Sequence, residues 1–274
     1  MIFELLYEWK WTTAYVGIHL LTFILYKYYF LASLIRSQSD PEIQKKFAPF
    51  LRNDLHNLNI ITAFPFYILY WPKIFLGWGW IMIVVTICLI LLRGYDKKDY
   101  LKLSGWKYEL VKVLMKSCAR LCLFLTCYFW VEHDKDHDID YSEFLGPDWK
   151  AEWDGAPTYV ANHTSWLDIM YMITYFYPGF VARSTVEKSW GVGPLATILG
   201  SVYINRVDGS KDAKKAIFQE IMDRQNNFVA GKAKAKFAIF PEGCTTNGKY
   251  LLSFKKGAFM SLNAVQPVTA LSHS

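Results

Sequence analysis

Residues 74–92 are nineteen consecutive positions without one charged side chain. About twenty apolar residues cross the hydrocarbon core of a bilayer as a helix. A run of this length and purity must sit in lipid or be buried by protein, and its length predicts a transmembrane helix. A second apolar stretch, 12–35, is long enough for the same role, although Lys27 interrupts it. One lysine near the centre costs about 3 kcal/mol on insertion scales, which the rest of the segment offsets. Between them lies a polar linker, 36–59, and then 60–71, too short to cross alone and better suited to a re-entrant or interfacial piece. Residues 111–131 carry lysines between their apolar positions and read as an interfacial amphipathic helix, with a core helix of the following domain as the alternative. Glu4 and Glu8 and the lack of a basic leader argue against a cleavable signal peptide.

Charge sharpens this division. Between Arg93 and Arg120 there are eight Lys or Arg against three acids, directly after the apolar run. Cations in that position mark the cytoplasmic side of a membrane, or the matrix side of the mitochondrial inner membrane. A basic stripe on a soluble fold, as nucleic acid requires, is not the pattern, so no nucleic-acid partner is expected. From Glu132 to Asp154 the balance reverses to nine acids against two lysines, an acidic linker. Its alternating Asp134, Asp136, Asp138 and Asp140 invite a calcium reading. An EF-hand counted from Asp134 needs Gly and Glu where Ile139 and Leu145 stand, so a solvated loop is expected. The five cysteines are odd in number and contain no C-x-x-C, which predicts buried thiols rather than disulfides or zinc. The chain thus divides into membrane-anchoring helices over 1–131, the linker 132–154, and a globular domain over 155–274.

That domain has the alternation of an α/β fold, with an expected mixed sheet flanked by helices. Thr158-Tyr159-Val160-Ala161 reads as a strand ending at Asn162-His163, and Thr164 or Ser165 can cap the helix that follows. Phe180-Val181-Ala182-Arg183 and Ser201-Val202-Tyr203-Ile204 are further strands. Residues 211–227 have helical spacing, and Phe237-Ala238-Ile239-Phe240 is a buried strand running into Pro241-Glu242-Gly243. In open α/β sheets ligands bind beyond the carboxyl ends of the strands, where His163 and Glu242 fall. Asp168 lies one helical turn past His163, so its carboxylate can curl back onto the imidazole, fix its tautomer and leave the other nitrogen as a general base.

The block Asn162-His163-Thr164-Ser165-Trp166-Leu167-Asp168 resembles the H-x-x-x-x-D motif of the glycerolipid acyltransferases. Tyr203-Ile204-Asn205-Arg206 resembles their second block, Phe240-Pro241-Glu242-Gly243 their F-P-E-G, and Val265-Gln266-Pro267-Val268 their fourth, in the same order. With Thr245-Thr246-Asn247 and Phe254-Lys255-Lys256-Gly257-Ala258-Phe259, the chain is most similar to the lysophosphatidylcholine and lysophosphatidylethanolamine acyltransferase branch. Lysophosphatidic acid acyltransferases are next.

The resemblance implies transfer of a fatty acyl group from acyl-CoA, a co-substrate, to a lysophospholipid hydroxyl, with neither cofactor nor metal. It implies His163 as general base, Asp168 orienting it, Arg206 binding the phosphate, and Glu242 ordering the acceptor's polar head, with Gly243 allowing close backbone approach. Backbone N–H groups at the start of the helix after His163 are the expected oxyanion donors. It also implies an endoplasmic reticulum membrane, with the catalytic domain cytoplasmic. Cys244 stands where the family usually has Thr and reads as a small-residue replacement. The chain ends six residues after Val268, where this branch generally continues. The rival expectation is therefore an acyltransferase-like structural or lipid-binding subunit of a larger membrane protein complex.

Overall fold

A computed structural model describes residues 2–52, 64, 67–97, 100, 103–132, 140, 142–150, 155–205 and 210–269. The chain forms two compact units, one of Met1–Leu76 with Thr245–Tyr250, the other of Gly77–Cys244 with Leu251–Leu271.

In the first unit, α1 (Ile2–Leu25), a π-helical stretch (Tyr26–Leu31) and α2 (Ala32–Gln38) follow one another without a break. Asp40 then caps α3 (Pro41–Phe47), accepting the Glu42 N–H at 2.9 Å, and Pro41 begins the helix where no N–H is needed. Asn247 ties the Thr245–Tyr250 segment to this unit. Its side-chain amide donates to the carbonyls of Ala48 (2.8 Å) and Leu51 (3.0 Å), and its own N–H donates to Pro49 at 2.8 Å. Trp9–Gln38 and α4 (Tyr70–Leu91) are, among the described residues, the helices long and apolar enough to cross a membrane. The acidic run 133–139 lies outside the described residues.

The second unit is built on five strands: β1 (Thr158–Ala161), β2 (Gly179–Arg183), β3 (Val202–Ile204), β4 (Phe237–Ile239) and β5 (Val265–Val268). Their spatial order is β3-β2-β4-β1-β5. The expected mixed sheet is corrected here, because every pairing is parallel. The reason is the connections. Most strands return through helical segments, which carry the chain back to start the next strand in the same direction. β1 and β4, in the middle, are buried at every position, as a strand covered on both faces must be.

Side chains alternate between two cores. Tyr159 and Ala238 face one cluster, shared with α5 (Gly105–Leu125) and α6 (Leu167–Tyr175). Val160, Phe237 and Ile239 face another. There α8 (Lys211–Val229), which follows the short α7 (Val192–Ile198), contributes Ile217 and Ile221. Gln225 of α8 is fully buried and donates to Thr158 Oγ1 (2.8 Å) and to the Ala258 carbonyl (3.0 Å), fixing this helix to the head of β1.

The helix expected at a membrane interface over 111–131 is α5. Val111, Met115, Cys118, Ala119 and Leu123 recur at helical spacing on its buried face, and the first four enter the first core, beside Met172 and Ile173 of α6. α4 joins the same core through Val84, Cys88 and Leu92, so its apolar run has a protein-facing side.

Candidate active site

The register of the sheet assembles the site. β1 pairs with β4 so that Val160 lies opposite Ile239. Three residues further along each chain come His163 and Glu242, side by side beyond the carboxyl ends of two adjacent strands. Glu242 is buried, and its Oε1 accepts the His163 backbone N–H at 3.4 Å while Oε2 accepts the Leu252 N–H at 3.2 Å. Both oxygens of this carboxylate are therefore engaged with backbone. Glu242 braces the His163 loop against the segment beginning at Leu251, a role the sequence did not suggest.

Asp168 sits in the first turn of α6, 7% exposed. Its Oδ2 takes three donors: His163 Nδ1 at 3.0 Å, the Thr164 N–H at 2.6 Å and the Ser165 N–H at 2.9 Å. Oδ1 takes the Thr164 hydroxyl at 3.3 Å. An ionised carboxylate only accepts, so Nδ1 is the donor of this contact, and in the neutral ring Nε2 carries the lone pair. Among the described residues Nε2 has no hydrogen-bond partner. The ring is held a second way. Phe240 stacks on it, centroids 4.1 Å apart and planes 18° from parallel, and Phe240 in turn stacks at 6.3 Å on Phe180 of β2.

The start of α6 narrows the expected oxyanion donors. The N–H groups of Thr164 and Ser165 are spent on Asp168, and the Leu167 N–H donates to Ser165 Oγ at 3.3 Å. The Trp166 N–H is the donor of this turn without an acceptor among the described residues. The N-cap position itself is Trp166, which has no side-chain cap, so neither Thr164 nor Ser165 is the cap residue expected, although the Ser165 hydroxyl serves the first N–H of the helix from one position earlier.

Gly243 has φ +73°, in the left-handed region that glycine enters without cost. A β-carbon there would strike the Lys255 side chain, lying 2.9 Å from Cε and meeting Nζ closer still. The absent side chain thus makes room for a lysine laid across the Pro-Glu-Gly turn. Lys255 is anchored by its own N–H to the Pro241 carbonyl at 2.9 Å. Sequence reasoning named Lys255 within a motif but gave it no place. Arg206 lies outside the described residues. The Cys244 thiol points back to the Glu242 carbonyl, 3.8 Å away.

The arrangement is an imidazole whose Nδ1 is bonded to a buried carboxylate and whose face is covered by Phe240, with its other nitrogen left at the sheet's carboxyl edge.

Residues 153–272 match the family described as Acyltransferase. The chain is 30% identical to the lysophospholipid acyltransferase LPEAT1 of Arabidopsis thaliana, over 86% of its own length and 69% of that protein's. It is 34% identical to lysophosphatidylcholine acyltransferase 2 of Rattus norvegicus over 41% of this chain and 20% of that one. It is also 34% identical to a 1-acyl-sn-glycerol-3-phosphate acyltransferase of Neisseria gonorrhoeae, over 37% and 36%. No solved structure matches significantly. With the His163–Asp168 pair and the F-P-E-G turn inside the matched region, and one relative aligned over most of both chains, the protein belongs to the acyltransferase family that includes the lysophospholipid acyltransferases.

Proposed function

We propose that this protein transfers a fatty acyl group from acyl-CoA to the free hydroxyl of a lysophospholipid, at the cytoplasmic face of an endoplasmic reticulum membrane. The observation that carries the reading is the unpartnered Nε2 of a His163 whose other nitrogen and ring face are both fixed. In the reaction Nε2 removes the proton of the acceptor hydroxyl as its oxygen attacks the thioester carbonyl. Asp168 stabilises the imidazolium that results. The tetrahedral intermediate collapses, breaking the carbon–sulfur bond, and the departing CoA thiolate takes the proton back from Nε2. The hydroxyl is itself the nucleophile, so no acyl-enzyme forms. The Trp166 N–H is the backbone donor we assign to the developing oxyanion. The names of the relatives point to the lysophospholipid acceptor, and Arg206 supplies a planar, permanently charged partner for its phosphate.

The experiment is acyl transfer from labelled oleoyl-CoA to a panel of lysophospholipids by the purified full chain. Replacing His163 by Ala is expected to lower kcat by about 10²-fold or more, with the melting temperature little changed. Retained turnover in that variant overturns the mechanism. Arg206→Ala is expected to raise KM for the lysophospholipid and not for acyl-CoA. Equal effects on both remove the phosphate assignment while leaving the base intact.

A further inference from the structure

Lys255 takes no part in the contacts of His163 and Asp168, yet its place in the fold is closely determined. Its N–H donates to the Pro241 carbonyl at 2.9 Å. Three residues earlier the Leu252 N–H is held by Glu242 at 3.2 Å, and three residues later the Ala258 carbonyl is held by Gln225 at 3.0 Å. The loop is thus tied at every third residue, and its short 3₁₀ turn begins only after Lys255. From that fixed backbone the side chain runs over Gly243. A β-carbon at 243 would lie 3.2 Å from Lys255 Cδ and 2.9 Å from Cε, and would meet Nζ closer still. Any residue but glycine there would push the ammonium off the turn.

A lysine laid so close to a backbone turn ordinarily answers an acid. Among the described residues its ammonium has neither an ion pair nor a hydrogen-bond acceptor. Glu242, two residues from the turn's end, has both oxygens on backbone N–H groups. An aliphatic side chain would cover the glycine equally well, so what the lysine adds is positive charge at the catalytic edge of the sheet. The same loop shows apolar surface: Phe254 and Phe259 stack with centroids 6.5 Å apart and remain 46 and 38% exposed. A cation among exposed rings suits an anionic group that carries an acyl chain.

Distance selects which anion. His163 and Glu242 follow neighbouring strands in register, so the Gly243 turn lies about one strand spacing, roughly 5 Å, from the His163 backbone. In a lysophospholipid with a free sn-2 hydroxyl, phosphorus is four covalent bonds from the oxygen that must meet Nε2. In acyl-CoA the pyrophosphate is separated from the thioester by the whole pantetheine arm. A cation beside the base therefore reaches the phosphate of the acceptor and not those of the donor. β3, the strand that leads to Arg206, is three places from β1 in the sheet, about 14 Å. The Gly243 turn is the nearer of the two places.

We propose that the Lys255 ammonium binds the phosphate of the lysophospholipid over the Gly243 turn and so sets the acceptor hydroxyl against Nε2 of His163. The inference rests on the acyl-transfer reading for the identity of the acceptor. It adds the residue that selects acceptors bearing a phosphate over neutral ones.

The test compares two acceptors with the purified full chain in non-ionic detergent: a lysophospholipid, and the monoacylglycerol of the same acyl chain, which has the hydroxyl and no phosphate. Lys255→Met keeps the stem across Gly243 and removes the charge. It is expected to raise KM for the lysophospholipid about 10-fold or more and to leave KM for acyl-CoA in place. The affinity for monoacylglycerol, read as Ki against the lysophospholipid, should not move, and Lys255→Arg should recover most of the loss. An unchanged KM for the lysophospholipid overturns the proposal. So does an equal loss for both acceptors, which would make Lys255 a support of the turn. The same two acceptors with brominated acyl chains report binding without turnover, by quenching tryptophan fluorescence. If no lysophospholipid is acylated but Lys255→Met weakens only the phosphate-bearing quencher, the acyl-transfer reading falls and the phosphate site stands. If neither quencher is weakened, the site falls as well.

Discussion

Changing Asp168 to Asn separates what this side chain does for the loop from what it does for the chemistry. The two N–H groups of Thr164 and Ser165 both point at Oδ2. They fix the orientation of the amide, because only its oxygen can occupy that place. The nitrogen then replaces Oδ1 and donates to the Thr164 hydroxyl. All four hydrogen bonds survive in geometry, and the imidazole keeps its proton on Nδ1. The cost to folding is the difference between charge-assisted and neutral bonds, about 1–3 kcal/mol in total. The cost to catalysis is larger, because on the proposed mechanism the ring gains its charge on the way to the transition state and keeps it until the leaving thiolate is protonated. A unit charge pair at the observed 3.0 Å is worth about 5 kcal/mol at an effective dielectric constant near 20. The amide dipole recovers part of this, leaving a barrier raised by about 3–4 kcal/mol and kcat lowered by about 10²–10³-fold.

The assay is release of the CoA thiol, followed with a chromogenic disulfide at saturating concentrations of both substrates, beside thermal unfolding in the same detergent. KM for either substrate should move little. In a His163→Ala background the same change should cost less than about threefold, because the two residues act as one unit. A kcat within about threefold of the unaltered protein would refute the reasoning. So would a further large loss in the His163→Ala background, which would give Asp168 a task independent of the imidazole.

Glu242→Ala leaves the His163 and Leu252 N–H groups without an acceptor and should destabilise the second unit by about 2–5 kcal/mol in chemical denaturation, whereas Glu242→Gln, which can accept only one of the two and sets its NH2 against the other, should recover no more than about half of this. If the Gln variant folds as well as the original but loses lysophospholipid affinity, the charge of Glu242 serves the substrate rather than the loop. Asn247→Ala removes three side-chain hydrogen bonds, two to the Ala48 and Leu51 carbonyls and one accepted from the Lys249 N–H, and should loosen the first unit by about 1–3 kcal/mol, read as faster proteolysis around residues 48–51. Unchanged proteolysis would show that the N–H of residue 247, which the substitution keeps, suffices.

The alternation of strands and helices was legible because each central strand is a short, largely apolar run broken by polar turns. The His163–Asp168 contact was legible too, since five residues across a strand end and one helical turn bring the two side chains together locally. What the sequence hid was non-local. The pairing of Val160 with Ile239 sets His163 beside Glu242, and a register between strands almost eighty residues apart leaves no mark on either one. Phe240 read as the last residue of a buried strand, although its ring is the platform for His163. The side of α4 that meets protein was hidden for another reason. Burial shows as a periodicity only where polar residues mark the opposite face. In 74–92 both faces are apolar, so the stripe through Val84, Cys88 and Leu92 cannot be told from the one through Ile83, Ile87 and Ile90.

The F-P-E-G turn takes on a different meaning from these contacts. Read as a binding motif, its acid would touch the acceptor and its glycine would admit the acceptor's backbone-side approach. In the structure Phe240 supports the imidazole face, Pro241 offers its carbonyl to the Lys255 N–H, Glu242 clamps the His163 N–H, and Gly243 yields space to the Lys255 side chain. Two of the four act on His163, and the other two place Lys255. A general base must meet its proton within hydrogen-bond reach, and an imidazole on the flexible loop after a strand would not hold that position unaided. Asp168 fixes the ring against rotation in its own plane, since it bonds one edge. It does little against tilting out of that plane, which the Phe240 face opposes. The two restraints are nearly perpendicular and come from different segments, one local to His163 and one from β4. A parallel sheet supplies both because it delivers the carboxyl ends of β1 and β4 to the same edge.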